Sequence, residues 1–354
     1  MVIVAIVLAL GLIMLYSASV AVGFERFGDS AFFIKRQAVA LMIGLGALFV
    51  AYRIDYRILQ QWSLLMLAGS ILLLILVLIP GIGAAGQGAQ RWFDLGPLSF
   101  QPSELVKLTL ILYMAAWMSE RGEQVIQDAK TGLLPFVLLM VVLGFLMLQQ
   151  PDLGSFLIIA AIGGVLFFVG GADPRHIASL IAASVVMVGV VIKAAPYRLD
   201  RIFAFLNPAA DPQGAGYHIT QALLAVGSGG LFGLGLGHSR QKFFYLPEVV
   251  GDSLFAVIAE ELGFFFSVAV IVAFVFFFIR GIVIGRRAPD AFGKLVAVGI
   301  ATWITAQAFV NIGAMLNVLP LTGLPLPLMS YGGSSLIITL AAIGILLNIS
   351  KQRT

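Results

Sequence analysis

Tyr245-Leu-Pro-Glu248-Val-Val-Gly-Asp252-Ser-Leu-Phe-Ala-Val-Ile-Ala-Glu260-Glu261-Leu-Gly263 places three carboxylates, Asp252, Glu260 and Glu261, at the head of an apolar run that continues to about Ile279. At about 1.5 Å per residue, a helix of that length exceeds the roughly 30 Å hydrocarbon thickness, so the run reads as a membrane span with Asp252 at one mouth. Carboxylates are costly in hydrocarbon and usually serve function. A helix turns about 100° per residue, which sets Glu260 roughly 80° from Asp252 and Glu261 nearly opposite it. Glu260 is therefore expected as the cavity neighbour of Asp252, and Glu261 is not.

Outward from this span the whole chain has the same character. Of its 354 residues, 60% are hydrophobic and 11% charged, and the mean hydropathy is +1.05. Apolar stretches of helix length fall at about 2–22, 33–51, 62–80, 102–119, 132–149, 153–170, 175–193, 252–279, 292–315 and 332–349. They predict an all-α polytopic membrane protein with about ten transmembrane helices, one domain over 1–354, and a long outer loop at about 194–250 between spans 7 and 8. Within that loop Tyr217 to Leu231 is apolar enough for a short interfacial helix. The first stretch lacks a cleavage site followed by a polar region, so it reads as a retained span. The absence of cysteine excludes disulfides and thiolate metal sites.

Orientation follows from the cations. With the N-terminus in the cytoplasm, the inner loops carry Arg53, Arg57, Arg121, Lys130, Arg175, Arg280, Arg286, Arg287, Lys294, Lys351 and Arg353, while the short outer loops carry Arg26, Lys35, Arg36 and Arg91. This excess obeys the positive-inside rule, puts both termini in the cytoplasm and faces Asp252 outward. The net charge of +4 is a by-product of that bias and gives no case for nucleic acid.

Other polar residues converge near the same surface. In Gln101-Pro-Ser-Glu104-Leu-Val-Lys107, Pro102 suits a first helical turn, Glu104 gains from the helix N-terminus, and Glu104 and Lys107 share a face. They either serve a site or neutralise each other in the bundle. Gln150-Pro-Asp152-Leu-Gly-Ser155 repeats that logic at the sixth span, where a plain helix start is the alternative. Lys35-Arg36-Gln37 runs against the charge trend, and Arg36 either snorkels to headgroups or binds an anionic lipid bidentately. Arg91-Trp92 suits interfacial anchoring. His176, His218 and His238 are scattered without metal-site spacing, and the Gly227–Gly237 run lacks both the strand and the spacing of a dinucleotide loop. Leu319 to Ser335 holds three prolines and three glycines. Irregular backbone at membrane depth survives only when buried in protein or lining a wet cavity, so this segment is expected as a re-entrant loop.

Pro325-Leu-Pro-Leu-Met-Ser330-Tyr331-Gly332-Gly333-Ser334-Ser335, together with Arg91-Trp92, Gln101 to Lys107, Gln150 to Gly154, Gly227 to Gly230 and Leu246 to Glu261, resembles the SEDS family of FtsW, RodA and SpoVE, in the family's order over nearly the whole chain. The resemblance implies a ten-span enzyme that polymerises lipid II into peptidoglycan glycan strands outside the bacterial cytoplasmic membrane. It also implies a class B penicillin-binding protein as transpeptidase partner, within division or elongation complexes. Where the family commonly has Thr-Asp-Phe, this chain has Gly251-Asp252-Ser253, and Asn317 stands where a small residue is usual. Ser239 to Lys242 with Tyr245 to Glu248 looks like the division type, FtsW; Gly323 to Pro327 looks more like the elongation type.

The implied chemistry needs a base for the acceptor 4-hydroxyl, a role that suits Asp252. It also needs cations for a pyrophosphate leaving group, supplied by Arg36, Lys107 or a divalent ion such as Mg²⁺ or Mn²⁺ held by carboxylates, Asp252 included. Intramembrane carboxylates and broken helices also mark transporters, so a lipid II flippase is the alternative. Against it, the irregular segments at 194–250 and 316–331 have no counterparts in the first half.

Overall fold

The computed structural model describes residues 1–352 apart from 87–88, 95, 97–98, 194–195 and 215. Arg353 and the first two positions of the 194–250 loop lie outside the described residues. The helices are α1 (Val2–Phe27), α2 (Phe32–Arg53), α3 (Tyr56–Leu76), α4 (Pro102–Arg121), the short α5 (Glu123–Gln127), α6 (Leu134–Gln149), α7 (Leu153–Val169), α8 (Pro174–Lys193), α9 (Pro196–Leu206), α10 (Tyr217–Ser228), α11 (Leu254–Arg286), α12 (Ala291–Met315) and α13 (Gly333–Lys351).

All ten apolar stretches are helices, because a chain in hydrocarbon must satisfy its backbone within the segment. Seven are long and apolar enough to cross a membrane: α1, α2, α3, Ala129–Gln149 (a π-helical turn running into α6), α11, α12 and α13. Leu153–Val169 and Pro174–Val190 are apolar but shorter. The tenth, α4, is buried on nearly every side. It packs against protein, so its residues need not match lipid. Large apolar side chains of α1, α2, α3, α6, α8 and α11 stand exposed, as lipid-facing surfaces do.

The all-α expectation needs one addition. Between α3 and α4, β1 (Ala84–Gly86), β2 (Ala89–Asp94) and β3 (Ser99–Phe100) form a small antiparallel sheet in the order β1-β2-β3. Ala84 pairs with Trp92 and Phe93 with Phe100. Arg91 and Trp92 therefore belong to a strand, whose backbone finds its partners across the sheet.

The chain forms two compact units. The first comprises Met1–Ala38, Ala182–Phe276 and Gln307–Gly332; the second comprises Val39–Ile181, Phe277–Ala306 and Gly333–Thr354. In the second, α3 packs on α4, α4 on α7, and α13 on α4. A Cβ on Gly344 would come within 2.5 Å of the Leu48 carbonyl, so α13 meets α2 backbone to backbone there.

The first unit is organised by a break in α11. Gly263 has φ 78° and ψ −172°, a conformation glycine adopts without steric cost. The break releases the carbonyls of Glu260 and Glu261, which accept instead from Leu234 N–H (2.9 Å) and Gly235 N–H (3.0 Å). Phe264 N–H, freed on the other side, donates to the Gly230 carbonyl at 2.9 Å. The Gly-rich run thus lies flat on α11, and a Cβ on Gly229 would stand 1.9 Å from the Ala259 carbonyl. Gly229 and Gly233 serve that close backbone approach.

Candidate active site

Asp252 lies in the turns that precede α11, two residues before the helix and not in its first turn as the apolar pattern suggests. The turns are closed by Gly251 N–H to the Glu248 carbonyl (2.9 Å) and Ser253 N–H to the same carbonyl (3.3 Å). Glu248 takes φ 48°, in the left-handed region that non-glycine residues seldom occupy. Asn311 of α12 donates from Nδ2 to the Asp252 carbonyl (2.7 Å) and the Leu324 carbonyl (2.8 Å), clasping the turn to the proline-rich segment. Tyr331 N–H adds a bond to the Val250 carbonyl at 2.9 Å.

The proline-rich segment is irregular and buried, with Leu324, Leu326, Leu328, Met329 and Ser330 all inside. Gln37 donates to the Ser330 carbonyl and accepts from Gly332 N–H, both at 3.2 Å. Ser330 Oγ accepts from Leu326 N–H, and Phe33 meets the Tyr331 ring edge-on. The structure therefore brings Gln37, Ser330, Tyr331, Gly332 and the Asp252 turn into one bonded set. Arg36 stands partly exposed with its guanidinium 4.5 Å from the centre of the Phe32 ring.

Burial pushes the Asp252 carboxyl up to about 7; the Glu248 charge adds to the rise, and Arg201 of α9 and the Ser253 hydroxyl oppose it. A carboxyl at that value is divided between acid and base near neutral pH, where proton transfer is most effective. Among the described residues no three of His, Cys, Asp and Glu gather as a metal cluster. The Glu248 charge reaches Asp252, so a divalent ion at this turn would find those two carboxylates and draw its other ligands from water and phosphate.

Glu260 and Glu261 overturn the helix-face expectation. Glu260 accepts from Ser239 Oγ, Arg240 N–H (2.9 Å) and Gln241 N–H (3.4 Å). Glu261 accepts from Lys242 Nζ (2.7 Å), Ser17 Oγ (2.8 and 2.9 Å) and Gly237 N–H (3.0 Å). Both carboxylates hold the same loop, because residues 237–242 wrap the helix end and reach two faces of it. On a bare helix the two carboxylates would face different surroundings.

The second unit contains a different set. Glu104 and Lys107 pair at 2.6 Å, both buried, and Lys107 Nζ lies 5.2 Å from the centre of the Trp303 ring. Glu104 Oε2 has no hydrogen-bond partner among the described residues. Asp152 caps α7 through Ser155 N–H (3.1 Å) and accepts from Gln101 (3.2 Å) and Ser103 (3.4 Å). Arg91 donates to the carbonyls of Gln150 and Pro151, so it holds the chain between α6 and α7. Ser334 accepts from Gln101 N–H beside the buried Gly333 at the start of α13.

Sequence reasoning passed over Asn311, Arg201, Lys242 and His218. A polar side chain within the apolar stretch 292–315 was the available signal for Asn311. His218 was weighed only as a metal ligand.

Among the described residues, seven helices long and apolar enough to cross a membrane, with buried ionisable groups at several helix ends, define a polytopic membrane protein. The chain belongs to the FtsW, RodA and SpoVE family, described as cell cycle proteins, which matches it over residues 1–354. It is 42% identical over 342 residues to the probable peptidoglycan glycosyltransferase FtsW of Geobacter metallireducens, covering 97% of this chain and 91% of that one. It is 44% identical over 348 residues to stage V sporulation protein E of Bacillus subtilis, covering 98% and 94%. Among solved structures, a peptidoglycan synthase complex that coordinates polymerization and crosslinking contains a chain matching with TM-score 0.82 and 32% identity, covering 99% of this chain and 96% of that one. The rod shape determining protein RodA of Thermus thermophilus matches with TM-score 0.72 and 32% identity, covering 99% and 95%.

Proposed function

We propose that this chain is a peptidoglycan glycosyltransferase that polymerises lipid II into glycan strands, with Asp252 as general base. The observation that carries the reading is the buried Asp252 carboxyl, lifted to about 7 in a turn clasped by Asn311 and Tyr331. The carboxylate takes the proton from the acceptor sugar 4-hydroxyl as that oxygen attacks the anomeric carbon of the lipid-linked donor. The bond from that carbon to the pyrophosphate breaks, and undecaprenyl pyrophosphate leaves. Its charge calls for cations, and Arg201, whose field already acts on Asp252, and the half-open Arg36 are the groups of this unit suited to it. A Mg²⁺ or Mn²⁺ ion, if bound, would take Asp252 and Glu248 as ligands and neutralise the leaving pyrophosphate.

The protein acts at the outer face of the bacterial cytoplasmic membrane with both termini inside, as the cation asymmetry of its loops supports. Its partner is a class B penicillin-binding protein, the kind of transpeptidase paired with the family. Identities of 42–44% to FtsW and SpoVE relatives, against 32% to solved RodA, favour the division type. Purified protein incubated with lipid II in detergent, with and without its transpeptidase, tests the reading. Glycan ladders on a gel are expected; transbilayer movement of lipid II in proteoliposomes without any ladder would replace the polymerase with a flippase.

A further inference from the structure

Ser253 follows Asp252 directly and is fully buried. Its Oγ lies 2.6 Å from the Pro247 carbonyl, 2.6 Å from His218 Nε2 and 3.5 Å from Asp252 Oδ1. A hydroxyl has one proton to donate, and a carbonyl can only accept. The short contact to Pro247 therefore uses the Ser253 proton, and the equally short contact to His218 requires Nε2 to carry a hydrogen and donate it. Burial on α10 keeps the His218 ring neutral, down at about 4, and the nearby Arg201 charge acts in the same direction. A neutral imidazole has a single N–H, so the contact fixes its tautomer. Among the described residues, the charged groups facing Asp252 are Glu248 from its own turn and Arg201 from α9; Asn311 of α12 binds its backbone carbonyl.

We propose that His218 and Ser253 are positioning residues for Asp252. His218 Nε2–H and the Pro247 carbonyl hold the Ser253 hydroxyl in one place, and the Asp252 carboxyl is seated against it. The catalytic consequence rests on the polymerase reading given above.

Two measurements on the full-length protein test it. Nitrogen-15 NMR of ring-labelled histidine in detergent micelles, with His218→Gln for assignment, should show His218 protonated on Nε2 alone and still neutral at about pH 5. An Nδ1–H tautomer, or protonation near the ordinary value of about 6.5, overturns the assignment. In lipid II polymerisation, Ser253→Ala should lower kcat about tenfold with KM within about twofold. Ser253→Thr, which keeps the hydroxyl, should restore kcat, and His218→Gln, which keeps an N–H donor, should retain more activity than His218→Phe. A Ser253→Ala enzyme with unchanged kcat overturns the positioning role. A wild-type chain that makes no glycan overturns the polymerase reading, while the NMR result still decides the hydrogen-bond assignment.

Discussion

Acidification should silence this protein well above the pH at which ordinary aspartates protonate. With the Asp252 carboxyl at about 7, roughly half the molecules carry the base at pH 7. About a tenth carry it at pH 6 and a hundredth at pH 5. At saturating lipid II, kcat should therefore fall about tenfold per pH unit on the acid side, whereas an aspartate near ~3.9 would leave it flat to about pH 5. Unfolding cannot imitate this through the same group. The folded value lies above the unfolded one, so the stability Asp252 contributes is fully present below about pH 4 and is lost as pH rises through about 7. Between those limits activity and this stability contribution move in opposite directions. Asp252→Asn removes the base and should cost about 10²–10⁴ in kcat, about 3–5 kcal/mol of transition-state stabilisation. The turn should survive, because Asn311 grips the backbone carbonyl of residue 252 and not its side chain. Initial polymerisation rates from pH 5 to 8, each with a thermal-unfolding control, decide the matter. A flat profile, or an Asp252→Asn enzyme within about threefold of wild type, would refute the base assignment.

Lys107→Met and Glu104→Gln should each lower thermal stability by about 3–5 kcal/mol, since each strands a buried charge; the double variant should cost less than the sum, and additive losses would show the pair to be uncoupled. Lys242→Met should release residues 237–242, seen as faster backbone hydrogen exchange there; unchanged protection would mean that the backbone donors to Glu260 and Glu261 hold the loop without Lys242. Glu260→Gln and Glu261→Gln should reduce polymerisation to similar extents, because both carboxylates fasten the same loop; selective loss with Glu260→Gln would restore the helix-face argument. Gly229→Ala should prevent stable insertion, as its methyl would overlap the Ala259 carbonyl, and a normally folded variant would contradict that close approach.

What was legible in the sequence followed from the solvent. About twenty apolar residues in hydrocarbon have few options besides a helix, so the ten stretches could be read along the chain within a few residues of the observed helices. The isolated polar residues could be named for the same reason, since lipid makes each of them conspicuous. Their partners could not. Glu260 and Glu261 differ by about 100° on a bare helix, yet a glycine break at 263 lays another loop across α11 and gathers both carboxylates. His218 stands 35 residues from Ser253, a separation over which no periodicity carries information, and their contact exists because α10 returns to the Asp252 turn. Hydropathy depends on each residue's own exposure to lipid or water, whereas hydrogen-bond geometry depends on which distant segments the fold brings within 3 Å, and tertiary structure alone decided that for this site.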